Sequence, residues 1–151
     1  MSSNLPPRAW VRLLRAHAEL TRRMDAALRA EHGLSLREYE VLLALADAPG
    51  SRLRRVDLAA RVLLTQGGVT RLLDALERQG LVARAASDTD RRVTFAELSG
   101  DGRRRLARAR RRHHRDISEL FADRFDEGEL SALDDLLARL PGAEDDSDWA
   151  G

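Results

Sequence analysis

The stretch that most constrains the fold runs from Thr65 to Leu98. Within it Val69, Leu72, Leu73 and Leu76 recur at three- and four-residue intervals, which makes one apolar stripe on a helix. Thr65 stands where an N-cap hydroxyl accepts from a free N–H of the first turn. The other face, near the helix start, carries Gln66, Gly67, Gly68, Thr70 and Arg71, all short or hydrogen-bonding side chains. That is the end a recognition helix presents to base edges and phosphates in a major groove. A glycine inside a helix costs about 1 kcal/mol against alanine. In a first turn the cost is smaller, and the missing Cβ lets the backbone approach a partner. Taken alone, the glycine pair reads equally well as a loosely capped helix start.

The residues that follow narrow the choice. Gly80 ends the helix, and residues 81–84 and 93–98 read as short strands. Residues 85–92 between them form a polar loop ending in Arg91 and Arg92. A helix–turn–helix followed by a basic hairpin is a winged helix. Asp90-x-Arg92, followed by Ala96, Leu98, Ser99 and Gly102, resembles the wing signature of the MarR family: Asp-x-Arg, an aliphatic, Leu-Thr and Gly. Ala96 stands for the usual aliphatic and Ser99 for the usual threonine. The helical part is similar to the same family, from Leu58-Ala59 through Thr70-Arg71-Leu72-Leu73-Asp74 to Leu76-Glu77 and Gly80-Leu81-Val82. The resemblance extends from about Ala9 to Leu140. It implies a transcriptional regulator in which the first and last helices of two chains interlock. It also implies a crevice, between those helices and the DNA-binding lobe, that takes small phenolic or anionic molecules.

The expected fold class is mainly α, an α+β winged helix–turn–helix lobe with dimerisation helices from both termini. Residues 1–8 are expected to be a flexible arm. A helix follows, with Trp10, Leu13, Leu14, His17, Leu20, Met24, Ala27 and Leu28 on one stripe, and Gly33 ends it. Ser35-x-x-Glu38 is a capping box, and Leu34 is placed to staple onto Tyr39. Pro49-Gly50 stops this second helix. Leu53 reads as a short strand joining the wing sheet, and Arg54 or Arg55 opens a support helix that ends near Val62. Ser99 caps a long helix over residues 100–124, with Leu106, Ala109, His113, Ile117, Leu120 and Phe121 on its stripe. Asp126-x-x-Glu129 caps a last helix carrying Leu130, Leu133, Leu136, Leu137 and Leu140. Residues 35–99 are thus the DNA-binding lobe, 9–34 and 100–141 the dimerisation region, and 142–151 an acidic flexible tail.

Charge is segregated although the net charge is only +1. Residues 52–92 hold nine arginines against five acids, 103–115 hold eight arginines and no acid, and 116–151 hold twelve acids against two arginines. Such a chain has one face for a polyanion and another for something else. On a helix, however, the 103–115 arginines spread around several faces and read as a solvated surface. The chain has no cysteine, which excludes disulfides and zinc-thiolate sites. His113 and His114 are adjacent and point about 100° apart on a helix. His17 and His32 have no partner at i, i+4, so neither a metal nor another cofactor is expected. No apolar run is long enough for a membrane span. The first seven residues lack a signal peptide's apolar core, so a cytoplasmic protein is expected. Nucleophile elbows, phosphate loops and His-Glu-x-x-His are absent, and Leu98-Ser99-Gly100-Asp101-Gly102 reads as a strand end and a helix cap.

These readings assign the site. Thr65, Gln66, Gly68, Thr70 and Arg71 are expected to read or approach the major groove. Arg91 and Arg92 are expected to enter the flanking minor groove, with Asp90 orienting Arg92 through an ion pair. Arg54, Arg55 and Arg84 are expected to meet phosphates. Trp10, His17 and His113 are candidate linings for a small aromatic or anionic effector, although a buried histidine is more often a satisfied core residue. The expected partners are double-stranded DNA carrying an inverted-repeat operator and a second copy of the chain, and the expected role is that of a homodimeric repressor. An architectural DNA-binding protein without a ligand, or an enzyme, is the competing class.

Overall fold

The computed structural model describes residues 4–62, 64 and 66–143. The chain divides into two compact units, Met1–Arg110 and Arg111–Gly151. The described elements are α1 (Leu5–His32), α2 (Leu36–Asp47), β1 (Arg52–Arg54), α3 (Arg55–Arg61), α4 (Gln66–Arg78), β2 (Val82–Ala86), β3 (Thr94–Leu98), α5 (Gly100–Ala122) and α6 (Glu127–Leu137). No described helix is long and apolar enough to cross a membrane.

The first helix starts earlier than the sequence suggests. Residues 5–8 are not an arm but the opening turn of α1, with Asn4 at the N-cap position and proline in the first turn. Proline is compatible there because the first N–H groups of a helix have no intrahelical acceptor and its fixed φ is already helical. At the other end Gly33 adopts φ 65°. Its N–H donates to the Arg29 carbonyl at 3.1 Å, and the Leu34 N–H donates to Leu28 at 3.5 Å, which satisfies carbonyls the helix leaves unpaired.

This cap turns Leu34 into the core, where it and Tyr39 are fully buried as the staple pattern anticipates. Ser35 Oγ accepts from the Glu38 N–H at 3.0 Å, and Glu38 Oε2 accepts from the Ser35 N–H at 2.8 Å. Asp25 on α1 reaches across to accept from the Leu36 N–H at 2.8 Å. Burial alone would raise the Asp25 pKa, but bonds from Arg29 and the Leu36 N–H outweigh it and the net shift is downward. The core then grows around Val41, Leu42, Leu45, Leu58, Val69 and Leu76.

The three strands are antiparallel in the order β1-β3-β2. Leu53 pairs with Ala96 and so joins the wing sheet. β2 runs further than the sequence suggests, with Ala85 opposite Phe95 and Ala86 opposite Thr94. Alanine has little β preference of its own, and the ladder to β3 overrides it. The wing loop is correspondingly shorter, closed by the Ser87 N–H donating to Val93 at 3.1 Å.

Ser99 joins β3 to α5. Its Oγ donates to the Gly80 carbonyl at 2.7 Å and accepts from the Gly102 N–H at 2.9 Å. A Cβ on Gly102 would lie 2.1 Å from the Leu81 carbonyl oxygen and 2.8 Å from Leu98 Cδ1. Two of the α5 arginines are not simply solvated. Arg103 donates to Ser51 Oγ, and Arg105 donates to the His32 carbonyl, both at 2.8 Å. The second contact sets a cation against the C-terminus of α1, where the helix dipole favours it.

In the second unit α5 ends at Ala122 and α6 at Leu137, each slightly earlier than expected. The Asp126–Glu129 capping box forms as read, with bonds of 2.8 and 3.0 Å. No residue of α6 is buried, and Leu136 is 56% exposed. On α1 the apolar stripe is likewise open: Trp10 is 60% exposed, and Leu13 and Leu14 are exposed.

His113 is buried. Desolvation pushes its imidazole below the usual 6.5, His114 adds to this, and Asp116 opposes it. The native state therefore takes up a proton less readily than the unfolded chain. The stability this contributes is complete above about pH 6.5 and is lost as pH falls toward the lowered native value. The thermal midpoint should drop on acidification through that range, and His113→Leu should make the drop shallower. An identical pH slope in the variant would contradict this.

Candidate nucleic-acid interface

The rotation of α4 is fixed by its apolar stripe. Val69 and Leu76 are fully buried, while Leu72 and Leu73 are partly buried against the same core. The stripe leaves Gly67 and Arg71, four residues apart, on the exposed side. A Cβ on Gly67 would meet nothing within 4 Å among the described residues, so their packing does not call for a glycine there. Gly68 and Thr70 are partly buried. Gln66 is the first residue of α4, and Thr65, with its expected capping role, lies outside the described residues.

α4 closes with Gly80 at φ 72°. The Gly80 N–H donates to Glu77 at 2.9 Å and the Leu81 N–H to Leu76 at 3.0 Å, so the chain turns directly into β2. Between α4 and the sheet lies a crevice whose lining includes Arg55, Thr70, Asp74, Arg84 and Phe95. Three of the sequence-derived candidates, Arg55, Thr70 and Arg84, therefore meet in one place. Arg54 stands at the start of α3, its guanidinium held by Asp57 through bonds of 2.7 and 3.2 Å. Arg84 is committed to two carboxylates: Nε donates to Glu77 at 3.1 Å and Nη2 to Asp74 at 3.2 Å. Sequence reading missed these two acids as partners. Their spacing on the polar face of α4 was visible, but what faces them was not.

The wing tip is shaped by its own short side chains. Ser87 Oγ accepts from the Thr89 and Asp90 N–H groups, both at 3.3 Å. Asp90 Oδ1 accepts from the backbone N–H of Arg92 at 3.0 Å, while the Arg92 Nε stands 3.9 Å from the same oxygen. The expected ion pair is therefore loose. Asp90 mainly fixes the turn, and the Arg92 side chain, 94% exposed, extends from it. Arg91 is exposed as well. Across the sheet Arg52 stacks over the Phe95 ring at 4.9 Å, a contact that depends on the β1–β3 register.

The effector candidates fare differently. His17 was placed on an inward stripe but is exposed, as is Trp10. The stripe is real, but that part of it is exposed among the described residues. His113 falls within the second unit and is buried. Among the described residues no group of three or more His, Cys, Asp or Glu side chains could hold a metal ion.

Residues 32–93 match the MarR family model. Over 114 residues the chain is 35% identical to a transcriptional repressor of Bacillus subtilis, YetL, covering 74% of this chain and 68% of that one. The chain belongs to the MarR family. A MarR regulator from Streptomyces coelicolor, solved in complex with DNA, superposes with a TM-score of 0.80 at 25% identity, covering 90% of this chain and 88% of that one. Another relative, CouR from Rhodococcus jostii, solved with p-coumaroyl-CoA, superposes at 0.72 with 28% identity, covering 91% and 94%. As a MarR protein the chain is a winged helix–turn–helix, DNA-binding transcriptional regulator.

Proposed function

We propose that the protein is a homodimeric repressor that reads an inverted-repeat operator in double-stranded DNA, in the cytoplasm, and catalyses no reaction. The observation that carries this reading is the exposed N-terminal side of α4. There Gly67 has open space beyond its Cα and Arg71 faces solvent one turn later. Gln66, Gly68, Thr70 and Arg71, with Thr65 just before them, approach the major groove. Arg91 and Arg92 reach the flanking minor groove from a turn that Ser87 and Asp90 hold rigid. Arg54 and Arg55 meet phosphates at the start of α3. The open apolar stripes of α1 and α6 support the dimer, since exposed patches of this kind mark interaction surfaces.

A small aromatic or anionic ligand that favours a DNA-incompetent spacing of the two lobes would release the operator, and a tenfold loss of affinity needs only about 1.4 kcal/mol of coupling. The relative bound to p-coumaroyl-CoA supports a ligand of that kind. Titrating aromatic acids against a labelled operator is the direct check.

Contact types can be separated by mutation. Arg92→Ala should weaken specific and non-specific DNA alike and flatten the salt dependence by about one unit of slope. Arg71→Ala should instead change which base is preferred, costing about 1–3 kcal/mol at the contacted pair. Unchanged affinity and slope in Arg92→Ala would remove the wing from the interface. A footprint that spreads without boundaries would favour the architectural alternative.

A further inference from the structure

Arg84 reads from sequence as a phosphate contact, but its geometry is that of a brace. Asp74 and Glu77 are three residues apart on α4 and so share one face. The Arg84 guanidinium on β2 bonds both, at 3.2 and 3.1 Å. The three side chains remain 59, 48 and 40% exposed. Exposed ion pairs add little to global stability, so the bonds are better understood by what they align.

Among the described residues, side-chain hydrogen bonds tie the helix to the sheet near its end and again further back. At the C-terminus of α4, Ser99 Oγ donates to the Gly80 carbonyl at 2.7 Å, pinning the helix end beside the end of β3. Arg84 grips the same helix further toward its N-terminus, from a strand that leads directly into the wing tip at Ser87. One point leaves a pivot, whereas two points fix an angle. To reach a phosphate, the guanidinium would have to leave both carboxylates, and their negative charge would then face the DNA uncompensated.

We propose that Arg84 is a positioning residue: through Asp74 and Glu77 it fixes the wing relative to the recognition helix, so that major-groove and minor-groove contacts are made together. This rests on the DNA-binding reading above.

Charge exchange tests it. Arg84→Glu sets three acids together, and adding Glu77→Arg restores an ion pair with the polarity reversed and the net charge of the wild type. Amide hydrogen exchange of residues 82–94 is measured on the free protein, and affinity is measured on a selected operator. Arg84→Glu should speed wing exchange about threefold or more and weaken operator binding at least about tenfold. The double variant should return both to within about threefold of wild type, whereas Glu77→Arg alone should not bind more tightly than wild type. Thermal melts of all variants should stay within a few degrees, which separates the effect from failure to fold. Restored exchange with unrestored affinity would show that Arg84 meets DNA itself and overturn the proposal. Wing exchange unchanged by Arg84→Glu would also overturn it. A wild-type chain that selects no operator would count against the DNA reading, while the exchange ratio on the free protein still decides the brace.

Discussion

Deleting residues 126–151 is expected to abolish dimerisation and to lower operator affinity by roughly a hundredfold or more. α6 buries none of its residues within the chain, and Leu136, Leu137 and Leu140 are exposed with Phe125 at its approach. A capping box and repeated leucines make the helix well formed locally, so its apolar side is specified without being covered. The same holds for Trp10, Leu13 and Leu14 on α1. On the proposed reading a second copy covers each of these open faces, twofold symmetry being the commonest arrangement for soluble oligomers. Two lobes held together make the second half-site contact intramolecular, and that advantage disappears with the dimer. Sedimentation and operator titration of the truncated chain check this. Deleting only residues 144–151 should leave both properties intact. A stable, DNA-binding dimer lacking residues 126–151 would contradict the assignment.

Gly102→Ala should destabilise the protein by about 1–3 kcal/mol, the usual cost of forcing extra volume into a packed site. For a chain of this size that lowers the thermal midpoint by roughly 2–12 °C. The new methyl would meet the Leu81 carbonyl oxygen at 2.1 Å, and that oxygen also accepts from the Ser99 N–H at 3.0 Å. Either the Ser99 joint opens or α5 shifts away from the sheet. Backbone stands on the far side of the contact, so no rotamer change relieves it. Gly67→Ala is the matching control. Its Cβ enters open space, so the fold should be unharmed or gain up to about 1 kcal/mol from helix propensity, while DNA binding weakens if the backbone approaches its partner there. Equal melts for Gly102→Ala and wild type would show that the joint is more pliable than its geometry indicates.

The parts of the fold that local chemistry determines were legible. Ser35 with Glu38, Asp126 with Glu129, and the glycines at 33 and 80 mark helix ends by side-chain and backbone hydrogen bonds within a few residues. Leu53, expected in a short strand of the wing sheet, pairs with Ala96. Tertiary context decided the rest. Residues 5–8, expected in an arm, open α1, because proline is compatible with a helix's first turn. Periodicity places His17 on an apolar stripe, which the single chain leaves exposed; it does not say whether this chain or a second copy covers that stripe. Arg84 was assigned from its charge, and its partners lie seven and ten residues away on another element. Asp90 was placed at the correct turn, but it grips the Arg92 backbone more closely than its guanidinium.

Two copies of this lobe, related by twofold symmetry, are expected to read DNA with α4 and the wing. Selecting duplexes from a random pool and footprinting the winners tests it most directly. The predicted result is one inverted repeat, with half-sites about one helical turn, roughly 10 base pairs, apart centre to centre. Protection should extend past each half-site where Arg91 and Arg92 reach the minor groove. Selection that returns direct repeats, single half-sites or no shared sequence would contradict it.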